Sequence, residues 1–110
     1  MNRGDVILAV VPNVGSSGGK KRPALVVQSD RFAALPSVTV LPLTGTLIDA
    51  PLLRVTVEPS RQNGLVKRSH IMVDKPQTPL RGKLGPVIGH LDDTTGVAIN
   101  RVLAVFLGLA

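Results

Sequence analysis

The residues best placed to do chemistry lie in one short run, Gly18-Gly19-Lys20-Lys21-Arg22-Pro23, which feeds straight into Ala24-Leu25-Val26-Val27. Glycine lets a loop approach a ligand closely, and proline stiffens the entry to the strand that follows. Three consecutive cations therefore reach the lip of an apolar strand, with Arg22 on the stiffest part. A guanidinium held there offers a phosphate a rigid fork of donors, and Lys20 and Lys21 form a mobile cationic arm beside it. A solvated basic turn before a core strand is the plain alternative, and the run by itself is compatible with both.

Other reactive groupings are scarce. The two histidines, His70 and His90, are separated by a turn and at least one strand, and each reads as a core or interface histidine. With no cysteine and no cluster of His and carboxylates, no metal site is expected. Asp92-Asp93 reads as a helix cap rather than an acid–base couple. Gly15-Ser16-Ser17-Gly18-Gly19-Lys20 precedes a strand and not a helix, so it is no phosphate loop, and no dinucleotide fingerprint or cofactor motif appears. What remains is Arg22 at the start of a second strand and Thr44 at the end of a third. Antiparallel neighbours in sequence bring those two ends to the same side of a sheet. Asp74, at the end of a strand over 70–73, is expected to complete a small polar cluster with them.

Composition bounds the partners. The 110 residues fit one domain over 1–110, and 13 Lys and Arg against 7 Asp and Glu leave a formal charge of +6. That excess favours a nucleic acid, an anionic membrane surface or an acidic protein. Phe32 and Phe106 are the only aromatics, so base stacking on aromatic platforms and an aromatic-lined peptide groove are both excluded. The apolar stretch over 97–110 is interrupted by Asn100 and Arg101 and is too short to span a bilayer. No signal-peptide pattern precedes the first apolar run, so a cytoplasmic protein is expected, with no membrane partner.

The elements that must hold these residues are short. Strands are expected over 6–10, 24–28, 38–43, 53–58, 70–73 and 85–91, with a loop over 13–21, a helical turn over 29–35 and an open assignment over 78–83. Asn63-Gly64 marks the turn joining the 53–58 and 70–73 strands. Regular short strands with turn signals between them imply a mainly β fold, a small closed or half-closed barrel, with one C-terminal helix opened by Asp92. That helix carries two apolar stripes, Ala98, Val102, Val105 and Leu109 on one and Ile99, Leu103 and Phe106 on the other. Burying one on the barrel and the other on a second copy implies a homodimer.

Six segments, read in order, resemble the MazF/PemK toxins: Arg3-Gly4-Asp5-Val6, the Gly/Ser loop, Lys21-Arg22-Pro23-Ala24-Leu25-Val26-Val27, Leu41-Pro42-Leu43-Thr44, Asp74-Lys75-Pro76-Gln77-Thr78 and Gly85-Pro86-Val87-Ile88-Gly89-His90-Leu91-Asp92. The resemblance implies a sequence-specific, metal-independent endoribonuclease that cleaves single-stranded RNA or mRNA. It also implies an SH3-like barrel, a homodimer and inhibition by a cognate MazE-like acidic antitoxin. In that family the arginine of the Arg-Pro strand and the threonine after the third strand are catalytic, which carries over to Arg22 and Thr44. The carboxylate of the Asp-x-Pro-x-Thr segment carries over to Asp74. Two positions depart from the pattern. Ser16 and Ser17 stand where some members place a histidine or glutamate, and Met72 where PemK-type members place an arginine.

Scission through the 2′-hydroxyl needs a base, stabilisation of a doubly charged phosphorane and help for the departing 5′-oxygen. Arg22 suits the second task and cannot act as base, because a guanidinium has no acceptor to offer a proton. Asp74 is therefore the expected base. RNA binding is expected from Lys20, Lys21, Gln28, Arg61, Lys67, Arg68, Lys75, Arg81 and Lys83. Two rivals are a non-catalytic RNA- or protein-binding module and a CcdB-like gyrase inhibitor. The second resembles the same fold but uses a terminal Trp-Gly-Ile, where this sequence has Leu107-Gly108-Leu109-Ala110.

Overall fold

The computed structural model describes residues 1–10 and 20–110; Ser16, Ser17 and the Gly18-Gly19 pair of the first loop lie outside the described residues. Six strands form one antiparallel sheet: β1 (Asp5–Val10), β2 (Lys21–Val26), β3 (Val40–Thr44), β4 (Arg54–Val57), β5 (Ser69–Met72) and β6 (Leu84–His90). Their order across the sheet is β4-β5-β3-β2-β1-β6. One helix, α1 (Asp93–Phe106), follows. Short 3-10 turns at Asp30–Phe32 and Arg81–Lys83 replace the longer helical turn and the open segment of the sequence reading.

Alternation along the strands sorts the side chains onto two faces. Leu25, Leu41, Leu43, Ile71 and Val73 point inward and pack with Val6, Leu91 and Ile99. Ile7, Ala24, Val26, Val40 and Met72 form a second apolar cluster on the opposite face. Toward one end of the strands that outer face turns polar, and the candidate chemistry collects there.

β4 and β5 pair, as expected, but not through a tight turn. The connection over 58–68 is long and shaped by the buried Asn63. Its Oδ1 accepts from the backbone N–H of Ser60 and of Leu65, each at 3.0 Å, while Nδ2 donates to the Glu58 carbonyl at 2.9 Å. This loop also reaches β6, where the His90 N–H donates to the Gln62 carbonyl at 2.7 Å. Among the described residues, closure between the β4 and β6 edges runs through this loop, giving a half-closed barrel.

Asp92 caps α1, accepting from the Thr95 N–H at 3.2 Å and the Thr95 hydroxyl at 2.6 Å. Those bonds favour the ionised carboxylate and lower its pKa. The helix stripes differ from the expectation. Ile99 is buried and Val102 and Leu103 pack partly on the core, but Phe106 does not continue that stripe. α1 lies against the four-residue strand β4, and Ile99 is its buried residue. Val105, Phe106, Leu107 and Leu109 are all exposed.

Candidate active site

The β2–β3 ladder pairs Ala24 with Pro42 and Leu25 with Leu41. Continuing that register brings Arg22 level with Thr44. Both residues line one cavity of about 290 Å³ at this end of the sheet, together with Lys20, Lys21, Lys67 and Ser69. Four of these are cations, and the described lining contains neither a carboxylate nor an imidazole. Such a cavity attracts and holds an anion.

Pro23 stands beside Arg22 within β2, level with Leu8 of β1, and fixes the backbone where the guanidinium departs. Thr44 is buried at the last position of β3. Its Oγ1 accepts the N–H of Thr46 at 3.1 Å, which orients the hydroxyl and leaves its hydrogen as a donor. Ser69 is also buried, and its hydroxyl donates to the Lys67 carbonyl at 3.0 Å. That bond stiffens the backbone from which the Lys67 side chain crosses the cavity.

Lys67 reaches the site because Gly45 has no side chain. A Cβ at Gly45 would fall on the end of the Lys67 chain, on Cε and Nζ. Those atoms are flexible, so an alanine would deflect the ammonium rather than disturb the sheet. Gly45→Ala and Lys67→Met are each expected to lower the RNA cleavage that the sequence resemblance implies by roughly threefold to tenfold, the worth of one modest hydrogen bond. The double variant should be no worse than either single one, as read from a double-mutant cycle of kcat/KM.

Asp74 does not join this cluster. β5 runs antiparallel to β3, with Leu43 level with Ile71 and Thr44 level with His70. The start of β5 therefore meets the end of β3, and the residue after β5 lies back toward the start of β3. After a turn at 72–75, Gln77 pairs with Val40 at the start of β3, so Asp74, which lies between Met72 and that bridge, stands toward the far end of β3 from Thr44. Its carboxylate instead pairs with Lys75 at 3.1 Å.

The other binding candidates divide by what they already hold. Lys20, Lys21 and Lys67 converge with Arg22 on the cavity. Gln28 serves as a backbone bracket, donating to the Phe32 and Ser37 carbonyls and accepting from the Thr39 N–H. Arg81 likewise donates to the Ala33 and Leu35 carbonyls, which fixes the 33–35 segment. Arg68 pairs with Glu58 at 2.7 Å, and Lys75 with Asp74. Arg61 and Lys83 are exposed and lie outside the cavity lining.

The histidines also part ways. His90 is half exposed and its Nδ1 lies 2.9 Å from an Asp5 carboxylate oxygen, so it is a surface pair rather than a core residue. His70 is buried, as expected, but it stands in register with Thr44 on one side and Thr56 on the other. Sequence reasoning missed this position because the β3–β5 pairing is non-local. A second hollow of about 320 Å³ lies between Arg3 and the start of α1. There Arg3 is committed to the Val27 carbonyl and the Asn100 side chain, and Asp92 and Asp93 would repel a phosphate. Among the described residues no helix is long and apolar enough to cross a membrane.

The fold and the site can be set beside known proteins. A relative from Mycolicibacterium smegmatis, described as a probable endoribonuclease MazF, is 46% identical over 110 residues, covering 100% of this chain and 99% of the relative. The endoribonuclease EndoA of Bacillus subtilis is 32% identical over 113 residues, covering 99% and 96%. Among solved structures, an endoribonuclease in complex with its cognate antitoxin from a mycobacterial species superposes with a TM-score of 0.80 at 27% identity, covering 100% of this chain and 97% of that one. The Mycobacterium tuberculosis toxin MazF-mt6 gives a TM-score of 0.80 at 26% identity, covering 96% and 98%. A family model for the PemK-like, MazF-like toxin of type II toxin–antitoxin systems matches residues 2–107. With likeness running the whole length in both sequence and fold, this chain belongs to that toxin family.

Proposed function

We propose that the chain is the toxin of a type II toxin–antitoxin system, an endoribonuclease that cuts single-stranded RNA at the Arg22–Thr44 cavity. The observation that carries this reading is the convergence of four cations and an oriented hydroxyl donor in one cavity, in a chain whose full-length relatives are described as endoribonucleases. A phosphodiester seats its non-bridging oxygens on the Arg22 fork and the Thr44 hydroxyl. The 2′-oxygen attacks phosphorus and the bond to the 5′-oxygen breaks. The 2′-hydroxyl proton passes to solvent water, the departing 5′-oxygen takes a proton from water to become a hydroxyl, and the other product is a 2′,3′-cyclic phosphate.

Arg22 and Thr44 hold the charge that builds on the phosphorane, where preorganised donors act most strongly. The surrounding cations also favour the 2′-alkoxide, which lowers the demand on a dedicated base. Asp74 has no step within this protomer's cavity on this reading. Exposed apolar side chains on the last turns of α1 provide a surface for a homodimer. An acidic antitoxin segment competes with RNA for the cationic cavity, a partner class in keeping with the similar endoribonuclease solved in complex with its cognate antitoxin. With mRNA as substrate, the protein acts in the cytoplasm.

Incubation of the purified protein with a long single-stranded RNA in EDTA tests the reading. Discrete cuts with cyclic or 3′-phosphate ends are expected. Intact RNA together with inhibited gyrase, or intact RNA that is only bound, would replace it with one of the two rivals.

A further inference from the structure

At the same end of the sheet as the cationic cavity lies a smaller recess of about 190 Å³. His70 and Thr56 line it from the sheet, and Asp49 and Arg54 complete its polar wall. Thr44 pairs with His70 across β3 and β5, and His70 with Thr56 across β5 and β4. Directly opposed residues in a ladder share a face. Arg22, Thr44, His70 and Thr56 therefore form one row across four strands. At about 4.8 Å per strand, the recess begins one strand beyond Thr44.

His70 is the unusual member of that row. It is 91% buried by its relative exposure of 9%, and its Nδ1 is enclosed with no hydrogen-bond partner. Native structures leave few such atoms unpaired, and the ring that carries this one belongs to a residue lining the recess. Burial, reinforced by the charges of Arg54 and Arg68, lowers the His70 pKa and keeps the ring neutral. A neutral imidazole offers one donor and one acceptor. The Arg54 guanidinium is held in place by donating to the Thr46 carbonyl at 3.0 Å, which couples the recess wall to the loop that orients Thr44.

We propose that the recess formed by His70, Thr56, Arg54 and Asp49 receives one nucleobase next to the scissile phosphate and selects the cleavage sequence at that position. The proposal rests on the RNA-cleaving function described above. The recess is smaller than the roughly 300–1,000 Å³ typical of small-molecule pockets, a size suited to a single flat ring system. It offers both donors and acceptors, which the edge of a base requires. Its distance from Arg22 and Thr44 matches the reach from a phosphate to the base of its own or the adjoining nucleotide.

The test is cleavage of an RNA pool randomised around the cut, with end mapping by sequencing, for wild type, His70→Val and Thr56→Val. The expected result is that preference at one position beside the cut relaxes by roughly tenfold or more, while preferences at other positions persist. Thr56 is exposed on a strand, where valine is well tolerated, so Thr56→Val carries the test if His70→Val fails to fold. An unchanged sequence profile in the folded variants would overturn the proposal, as would a uniform loss of cleavage at every sequence. A pool left intact by the wild-type protein would remove the RNA-cleaving function itself, an outcome distinct from cleavage with an unaltered profile.

Discussion

Arg22→Ala is expected to lower RNA cleavage by about a hundredfold or more, the scale seen when a transition-state donor is removed. The effect should fall on kcat, because the fork is matched to charge that grows as the phosphorane forms. Single-turnover cleavage of a defined RNA measures it. Ground-state affinity should fall far less, since Lys20, Lys21 and Lys67 remain in the cavity. The melting temperature should stay close to wild type, because Arg22 is only half-buried at the second position of β2 and the core begins at Ala24. Arg22→Lys keeps the charge and loses the planar fork, so its activity should lie between the two. Near-normal cleavage by Arg22→Ala would remove the residue from the chemistry.

The largest expected effect on stability is at Gly64. Its φ of +69° lies in the left-handed region, and a Cβ there would run into the Ile88 backbone carbonyl. The first feature costs about 1–2 kcal/mol for an alanine, and the overpacking about 1–3 kcal/mol more. Against a typical domain stability of about 5–15 kcal/mol, Gly64→Ala is therefore expected to be severely destabilised. Urea denaturation measures the change. Gly82→Ala is the matching control, since nothing lies within 4 Å of its Cβ position. The contrast arises because Gly64 sits in the loop that closes the sheet against β6, where backbone meets backbone with no flexible group to yield.

How much of this was legible in the sequence depends on whether the contact was local. Arg22 and Thr44 could be brought together from chain order, because β2 and β3 are consecutive and antiparallel. The Asp92 cap and the run of short strands were readable for the same reason: their signals lie within a few residues. Asp74 was misplaced because β3 is flanked by β5 and not by β4. That non-local pairing decides which end of β5 meets Thr44. The same pairing hid His70, whose significance comes only from its neighbours Thr44 and Thr56.

Asn63-Gly64 was readable as a turn but not as the organiser of an 11-residue connection over 58–68 that reaches β6. Gln28 and Arg81 looked like surface polar groups available to RNA. Their hydrogen bonds to the carbonyls of the 32–37 segment could not be foreseen from their own surroundings in the chain. Lys67 depended on a gap at Gly45, which lies 22 positions away in the sequence.

The most direct measurement uses a short single-stranded RNA carrying one mapped cut, compared with the same RNA lacking only the 2′-hydroxyl at that cut. The account predicts that wild-type protein cleaves the first in EDTA to a 2′,3′-cyclic phosphate and a 5′-hydroxyl. The second RNA should still bind and should stay intact at that position. Cleavage of the deoxy-substituted RNA at the same bond and a comparable rate would contradict scission through the 2′-hydroxyl in the Arg22–Thr44 cavity.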